Sequence, residues 1–571
     1  MAEHRGGLLA VLRGIAGYAV VAVVVLPLAV ADGITRTEVH DTIGVLPTTF
    51  TVATGGHSEL RLGIAGTVFL PVSRGPFGLV AAVDGPVETD ADPSASGDLA
   101  SFVSPQLLSL YAGIFHDPGA AVRGYVDVVR HELVHRTLLT ELWLTLLVGT
   151  TVLLVGRVLP VRTGLSHPRL RVVALVVGAL VTTCALGAAE VSRARPPTPA
   201  DTFPLTALDG TAAAGATTNS PVLRLLLGGA VPKVQTLVRR QERDAQAFRD
   251  TATGQLLEQR PLMTGPRDGE TAVLMQSDMH CNQVMIRLQR EVRRQLEGLY
   301  GAGVPALMAI TGDLTTNGTA AENSCIDEED AIAGEAPVAA VTGNHESDLS
   351  AQHMAADGME VLDGEVREVG GVRVLGAGDP ERSELFGASR LRGSESQEEV
   401  GTRLRATAER KRPDLVLVHE AYAAQAFLGV EDITSFLESR ESPTEPGEDG
   451  VADVPASAVF YGHWHRQIEP RVVWNDDGTW TLVMELDTSG GAIDTPTLGH
   501  FSTPWTSPQQ EASFPVVFLD RASGLVTGYQ LYSFSTQGEV TVRPRVDVGV
   551  RPPGAPTVVP SLPQATPSAG R

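Results

Sequence analysis

The chain has 571 residues, with 67 acidic side chains against 44 basic ones and a formal net charge of -23. That length leaves room for two or three domains, and so acidic a surface excludes polyanionic nucleic acid as an expected partner. Its apolar residues are unevenly spread, and the first third of the chain holds three apolar runs, at 14–31, 138–156 and 172–191.

Each run is about long enough to cross a bilayer as a helix, roughly 17 to 25 residues. Arg5 and Arg13 precede the first run, and Arg157, Arg162, Arg169 and Arg171 crowd the short connection between the second and third. Such an arginine excess marks the cytoplasmic side. Arg193 and Arg195 lie beyond the third run, but six arginines against two set the orientation. The expectation is a multi-pass protein of the plasma membrane that crosses the lipid bilayer three times, with everything after Val191 outside. Residues 1–32 form either an uncleaved first helix or a signal peptide, since Ala29-Val30-Ala31 resembles a small-residue cleavage site. Both readings place the downstream domains on the same face.

Residues 33–135 alternate in apolarity at 60–69 and 77–83 and turn helical from about Pro105, the pattern of a small extracytoplasmic α+β domain. At its end, His131-Glu132-Leu133-Val134-His135 fits the zincin pattern of two histidines one helical turn apart with an acid between them. This stretch leads straight into the second span, no Gly-x-x-His continuation follows, and the candidate third ligand Glu141 falls at the bilayer boundary. A zinc metalloprotease is therefore the remote alternative, and an amphipathic helix end at the membrane surface the plain one. Residues 136–195 carry the second and third spans with their cytoplasmic loop. Within 196–265, a Pro-, Ala-, Thr- and Gly-rich linker to about 220 precedes a helix over 222–257, whose Arg239, Arg240, Glu242, Arg243 and Asp244 read as a solvated face.

From 266 to 550 the pattern becomes short apolar strands at 272–276, 306–311, 338–342, 415–418 and 458–461, alternating with helical stretches, with further strands over 359–375 and 481–546. This is a layered α/β domain. Residues 551–571 are Pro-rich and charge-poor, and are expected to be disordered.

A motif of hard oxygen and imidazole donors begins where each of the five strands ends: Asp278-Met279-His280, Gly312-Asp313-Leu314, Gly343-Asn344-His345-Glu346, the single His419, and Gly462-His463-Trp464-His465. Ligands of α/β sheets gather at the carboxyl ends of strands. Taken singly, none of these residues means much, since a lone His is commonly a satisfied core or surface residue and an Asp after a strand commonly caps a turn. Together they supply what a pair of divalent cations needs to hydrolyse a phosphate ester. Cys281 follows the first motif and Cys325 lies a short loop beyond Asp313, which leaves either a disulfide in an oxidising compartment or two unpaired small residues. Cys184, inside the third apolar run, reads as a small packing residue.

In these motifs and their order, residues 272–492 resemble the calcineurin-like metallophosphoesterase superfamily. The resemblance implies a metallophosphoesterase-type β-sandwich flanked by helices, an α/β fold here preceded by three transmembrane helices. It implies two divalent ions, with Mn, Zn and Fe the candidates, that share a bridging hydroxide. Asp278, His280 and His465 would hold one ion, Asn344, His419 and His463 the other, and Asp313 would bridge them. His345 would protonate the leaving oxygen or stabilise the charged phosphorane. Three departures stand out: Glu346 replaces a frequent Asp and is expected to orient His345 from behind, Glu420 rather than His-x-Pro follows His419, and Trp464 is bulky for its place and could pack or stack on substrate. The expected partner is an extracytoplasmic phosphate mono- or diester. The alternative from another class is a non-catalytic, metal-stabilised membrane receptor or assembly factor.

Overall fold

Three long helices carry the apolar runs: α1 (Ala2–Arg36), α2 (Pro118–Val158) and α3 (Pro168–Arg193). The computed structural model describes residues 2–43, 46–62, 66–72, 76–83, 118–158, 168–194, 202–209, 213–383, 389–439, 453–493 and 506–550. Arg162, Arg195, the helical pattern near Pro105, the linker stretch 196–201 and the Pro-rich tail lie outside the described residues. The chain divides into two compact units, residues 1–91 with 122–233 and residues 92–121 with 234–571.

In the first unit the three helices contain apolar windows at Gly14–Arg36, Val122–Leu154 and Val172–Arg193, with mean hydropathies of 2.4, 1.7 and 2.3. Their sides are almost unburied, 17%, 6% and 6% of the best stretches, so they present apolar surface that lipid would cover. Polar side chains and small residues join them: the Thr183 hydroxyl donates to the Val24 carbonyl at 2.6 Å, and a Cβ on Gly187 would lie 2.7 Å from the Pro27 carbonyl oxygen. Close helix approach in lipid relies on such residues. Cys184 is exposed on α3 rather than packed between helices.

Strands β1 (Glu38–Ile43), β2 (Leu46–Ala53), β3 (His57–Arg61), β4 (Thr67–Val72) and β5 (Gly78–Val83) build a sheet that two more strands complete, β6 (Phe203–Pro204) and β7 (Thr217–Thr218). The order is β1-β2-β5-β3-β4-β7-β6, with Val68 opposite Thr218. Part of the expected linker is thus structured. Its Pro, Ala, Thr and Gly content masks the few anchors that hold it, since Leu205, Leu208, Ala216 and Thr218 are buried. Beyond it runs α4 (Pro221–Gln259).

The second unit is a four-layer sandwich. One sheet has the order β11-β10-β9-β8-β20-β21-β22, with β23 added at β21: β8 (Glu270–Gln276), β9 (Leu307–Ile310), β10 (Val338–Ala340), β11 (Glu360–Val361), β20 (Ala512–Asp520), β21 (Val526–Phe534), β22 (Val540–Val542) and β23 (Val546–Asp547). The other runs β12-β13-β16-β17-β19-β18: β12 (Arg367–Val369), β13 (Val372–Gly376), β16 (Leu415–Leu417), β17 (Ala458–Tyr461), β18 (Arg471–Trp474) and β19 (Trp480–Glu485), while β14 (Glu381–Arg382) and β15 (Arg390–Leu391) pair as a separate two-stranded sheet. A strand places alternate residues on opposite faces. Val273, Met275, Leu307, Leu417 and Phe460 meet between the sheets, whereas Leu274 and Ile310 face α5 (Gln283–Tyr300) and α6 (Asn323–Ala333). Val416 and Tyr461 face α8 (Gln397–Lys411) and α9 (Ala421–Leu428). Burial on both faces explains why these strands read as continuous apolar runs. The mixed α/β sandwich and the three apolar N-terminal helices are those the sequence predicts.

Candidate metal centre

Parallel strands β10, β9 and β8, and β13, β16, β17 and β19, bring their carboxyl ends to one rim. The ligand motifs follow those ends directly, and most lead into a helix whose cap is local. The Asn282 side chain accepts from the backbone N–H groups of Val284 and Met285 to start α5, Ser347 caps α7 (Asp348–Asp357), and Glu420 caps α9. Such caps satisfy the free N–H groups of the first turn.

The rim loops are stitched together by main-chain bonds: Asp278 N–H to Gly312 O at 3.0 Å, His280 N–H to Asp313 O at 3.0 Å and Gly462 N–H to His419 O at 2.9 Å. The approach is so close that a Cβ on Gly343 would lie 2.1 Å from Asp313 Oδ1, and one on Gly462 would lie 2.0 Å from Ser277 Oγ. Asp278, His280, Cys281, Asp313, His463 and His465 adopt positive φ values between 47° and 72°. Among the described residues only one other non-glycine residue, Arg412, does so. Each such residue costs on the order of 1–3 kcal/mol and persists only where its surroundings hold it.

Seven side chains converge within these loops. His465 Nε2 lies 3.1 Å from Asp278 Oδ1 and 3.1 Å from His280 Nε2. His419 Nε2 lies 2.9 Å from Asn344 Oδ1, 3.1 Å from His463 Nδ1 and 3.3 Å from Asp313 Oδ2. Three overlapping donor groups result: Asp278, His280 and His465; Asp313, His419 and His463; and His280, Asp313 and His345. Asp313 and His280 are each shared between groups. Asp278, Asp313 and His419 are at most 1% exposed.

The hydrogen-bond pattern fits cation binding. His419 Nδ1–H faces the Thr311 carbonyl at 2.9 Å and His465 Nδ1–H faces the Ala492 carbonyl at 3.0 Å, which turns both Nε2 atoms toward the shared space. Burial holds His280 neutral, its pKa pushed down to about 3, and burial beside charged His419 brings His463 down to about 4. The His280 and His465 Nε2 atoms lie 3.1 Å apart beside the Asp278 carboxylate, a place for a positive charge. Although burial disfavours their charged forms, Asp278 is held below the usual carboxylate range by His465, and Asp313 by His419. This mixed imidazole, carboxylate and amide set suits Mn, Zn or Fe better than Ca.

His345 stands beside the set, its Nε2 3.9 Å from Asp313 Oδ2 and its side chain 31% exposed. Its Nδ1 faces the Thr316 carbonyl at 2.7 Å. Glu346 therefore has a different place from the one the sequence leads one to expect. Its buried carboxylate accepts from the N–H groups of Asp313 (3.0 Å), Thr315 (2.8 Å) and Gly343 (2.7 Å), locking two ligand loops together instead of orienting the His345 ring. The extra methylene relative to Asp gives it that reach. Trp464 packs partly buried against the outer core of the second sheet, with the Arg466 guanidinium 4.4 Å above its ring and Tyr422 edge-on at 6.0 Å. Of its two sequence roles, packing is the one this arrangement favours. Glu420 Oε2 lies 3.9 Å from His463 Nε2.

Several contributors are invisible in the motifs. The Asn344 amide donates to Ser383 Oγ, which leaves its Oδ1 for the centre. After β19, Thr488 donates to the Asp278 carbonyl at 2.7 Å and Gly490 O accepts from Asn282 at 2.7 Å. Cys281 and Cys325 are joined as a disulfide with Cα atoms 5.5 Å apart, tying the loop after His280 to α6. In the first unit, by contrast, the Glu132 carboxylate pairs with Arg136 at 3.0 Å and His135 at 3.7 Å. Among the described residues His131 and His135 join no group of three metal-capable donors.

A two-sheet sandwich flanked by helices, with clustered His and Asp side chains at one rim, defines a metallophosphoesterase domain. Residues 271–467 match the family model of the calcineurin-like phosphoesterases, and this part of the chain is a domain of that family. The match runs from β8 to just beyond His465. A comparison with curated proteins gives no match.

Proposed function

We propose that this protein is a membrane-anchored, metal-dependent hydrolase of extracytoplasmic phosphate mono- or diesters. The observation that carries this reading is the convergence of seven donors on one rim, with Asp313 placed to serve both halves. Asp278, His280 and His465 would hold one divalent cation and Asn344, His419 and His463 the other, with Asp313 shared. Bound there, the cations would supply Lewis-acid charge for the phosphoryl oxygens and an activated water.

The chain's own residues do the rest. The Thr316 carbonyl fixes the His345 tautomer with its proton on Nδ1, so Nε2 is the nitrogen that carries and delivers the second proton to the leaving oxygen. Glu346 and the crowded glycines hold the ligand loops in register, so little reorganisation accompanies the reaction. The outward orientation rests on the arginine distribution, and the Cys281–Cys325 disulfide supports an oxidising compartment. Tethering favours a lipid or cell-envelope substrate, since it raises the encounter rate with surface-bound molecules. Asp313→Asn is expected to abolish turnover of an aryl phosphodiester while leaving the thermal midpoint of the metal-free protein within a few degrees. Unchanged turnover would overturn the assignment.

A further inference from the structure

The helices and sheet of the first unit enclose a cleft unrelated to the metal centre. Two tight contacts bracket it. At one end, α1 and α2 cross at Gly33, where a Cβ would lie 2.2 Å from the Thr137 hydroxyl and 3.2 Å from Leu133. At the other, Tyr125 of α2 stacks on Phe50 of β2 with ring centroids 4.3 Å apart, and its hydroxyl donates to the Thr42 carbonyl at 2.8 Å. These contacts fix the distance between α2 and the sheet, and the side chains between them leave a space of about 400 Å³. Val30 and Ile34 of α1, Val52 of β2, Phe77 just before β5, and Leu133 and Leu138 of α2 line it. That size falls within the roughly 300–1,000 Å³ of small-molecule sites. Protein interiors ordinarily close gaps of this kind.

The cleft opens onto the surface that a bilayer would cover. Val30, Val134 and Leu138 line it, lie inside the membrane-crossing windows, and are 39%, 51% and 62% exposed. Phe77, on the sheet side, is 41% exposed. Thr137 is the single polar residue in the lining, so what enters must be hydrocarbon. Just above Leu138, α2 changes from a charged to an apolar sequence: Arg136 and Glu132 pair at 3.0 Å and, on α1, Asp32 pairs with Arg36 at 3.0 Å.

We infer that the first unit binds the hydrocarbon chain of a single bilayer lipid in this cleft, an acyl-chain site separate from the phosphoesterase centre. The chain itself is already out of water in the bilayer, so the gain is that of covering the apolar lining of the cleft. The occupant is a bilayer lipid rather than a soluble ligand because the mouth is continuous with the lipid-facing helix surface.

The test uses the full-length protein in nanodiscs containing a phospholipid with a photoreactive diazirine on its acyl chain. Labelled peptides are mapped by mass spectrometry. The expected result is labelling concentrated on the peptides holding Val52, Phe77 and Leu133. Filling the space with Val52→Trp, or independently with Ile34→Trp, should reduce that labelling to the level seen on the exposed helix faces. Val177→Trp, on the exposed face of α3, should leave it unchanged. Turnover of a water-soluble aryl phosphodiester reports folding and stays within about twofold in all three variants, because no ligand side chain is altered. Uniform labelling along the exposed faces of α1, α2 and α3, or labelling indifferent to both filling variants, would overturn the inference and mean annular lipid only.

Discussion

Gly343 shows how much of the metal centre is decided by one missing side chain. Its φ is not positive, so its role is space: a Cβ would strike Asp313 Oδ1 and come within 2.6 Å of the Asp313 nitrogen. Gly343→Ala is expected to displace Asp313 by part of an ångström and to lower kcat/KM at least about 100-fold, with a matching loss of bound metal by elemental analysis. Gly298→Ala is the control. It lies in α5 with its nearest neighbour 3.7 Å away, and should stabilise slightly, by about 1 kcal/mol. Full activity in Gly343→Ala would mean that the loops are less tightly held than these contacts imply. At this scale the ligand side chains were legible in the sequence, since Asp, Asn and His announce their chemistry by type and order. The left-handed backbone at Asp278, His280, Asp313, His463 and His465 was not, because Asp and His, though enriched at positive φ, adopt it too rarely for the residue type to signal it. Nor was the reach of Glu346 to three backbone N–H groups, which depends on two loops 30 residues apart meeting.

At the scale of elements, two buried glutamates with opposite pKa shifts mark how the sandwich is tuned. Glu270 begins β8 and is 7% exposed. Burial pushes its pKa up, but Arg545 at 2.7 Å, the Arg267 N–H and the Thr527 hydroxyl outweigh that and hold it at about 2. A depressed pKa stabilises the fold above the unfolded value of 4.5, and that stability is lost as pH falls from there through about 2. Glu329 on α6 is fully buried, and burial raises its pKa well above 4.5 despite a bond from Gln276. The folded state keeps a proton the unfolded state releases, so this residue costs stability as pH rises above 4.5. Glu270→Gln should therefore destabilise the metal-free protein by about 3 kcal/mol at pH 7, since it strands Arg545, and the deficit should shrink at acid pH. Glu329→Gln should instead flatten a decline in stability of up to about 1.4 kcal/mol per pH unit on the alkaline side. Thermal midpoints from pH 3 to 8 separate the two, and parallel curves for both variants and the parent would refute this assignment. Strands β8, β9, β10, β16 and β17 were legible because burial on both faces makes them unbroken apolar runs. Strands β6 and β7 were hidden because two residues each, within a Pro- and Gly-rich stretch, leave no period to read.

For the whole molecule, hydropathy alone located the three apolar helices, since an uninterrupted span of that length has few other readings. The helices continue past the apolar runs. α2 starts at Pro118, twenty residues before the run that marks it, because charged residues interrupt the apolar sequence of its N-terminal half, which is held by the Tyr125–Phe50 stack. The zincin-like His131 and His135 lie on that half, and among the described residues they join no group of three metal-capable donors. Orientation is the property on which the proposed substrate outside the cell depends. The most direct measurement is turnover of a membrane-impermeant aryl phosphodiester by intact cells producing the full-length protein. Turnover should exceed that of cells producing Asp313→Asn, disappear with an impermeant chelator and return on adding Mn²⁺. Turnover that needs permeabilised cells, or that is indifferent to the chelator, would contradict the account.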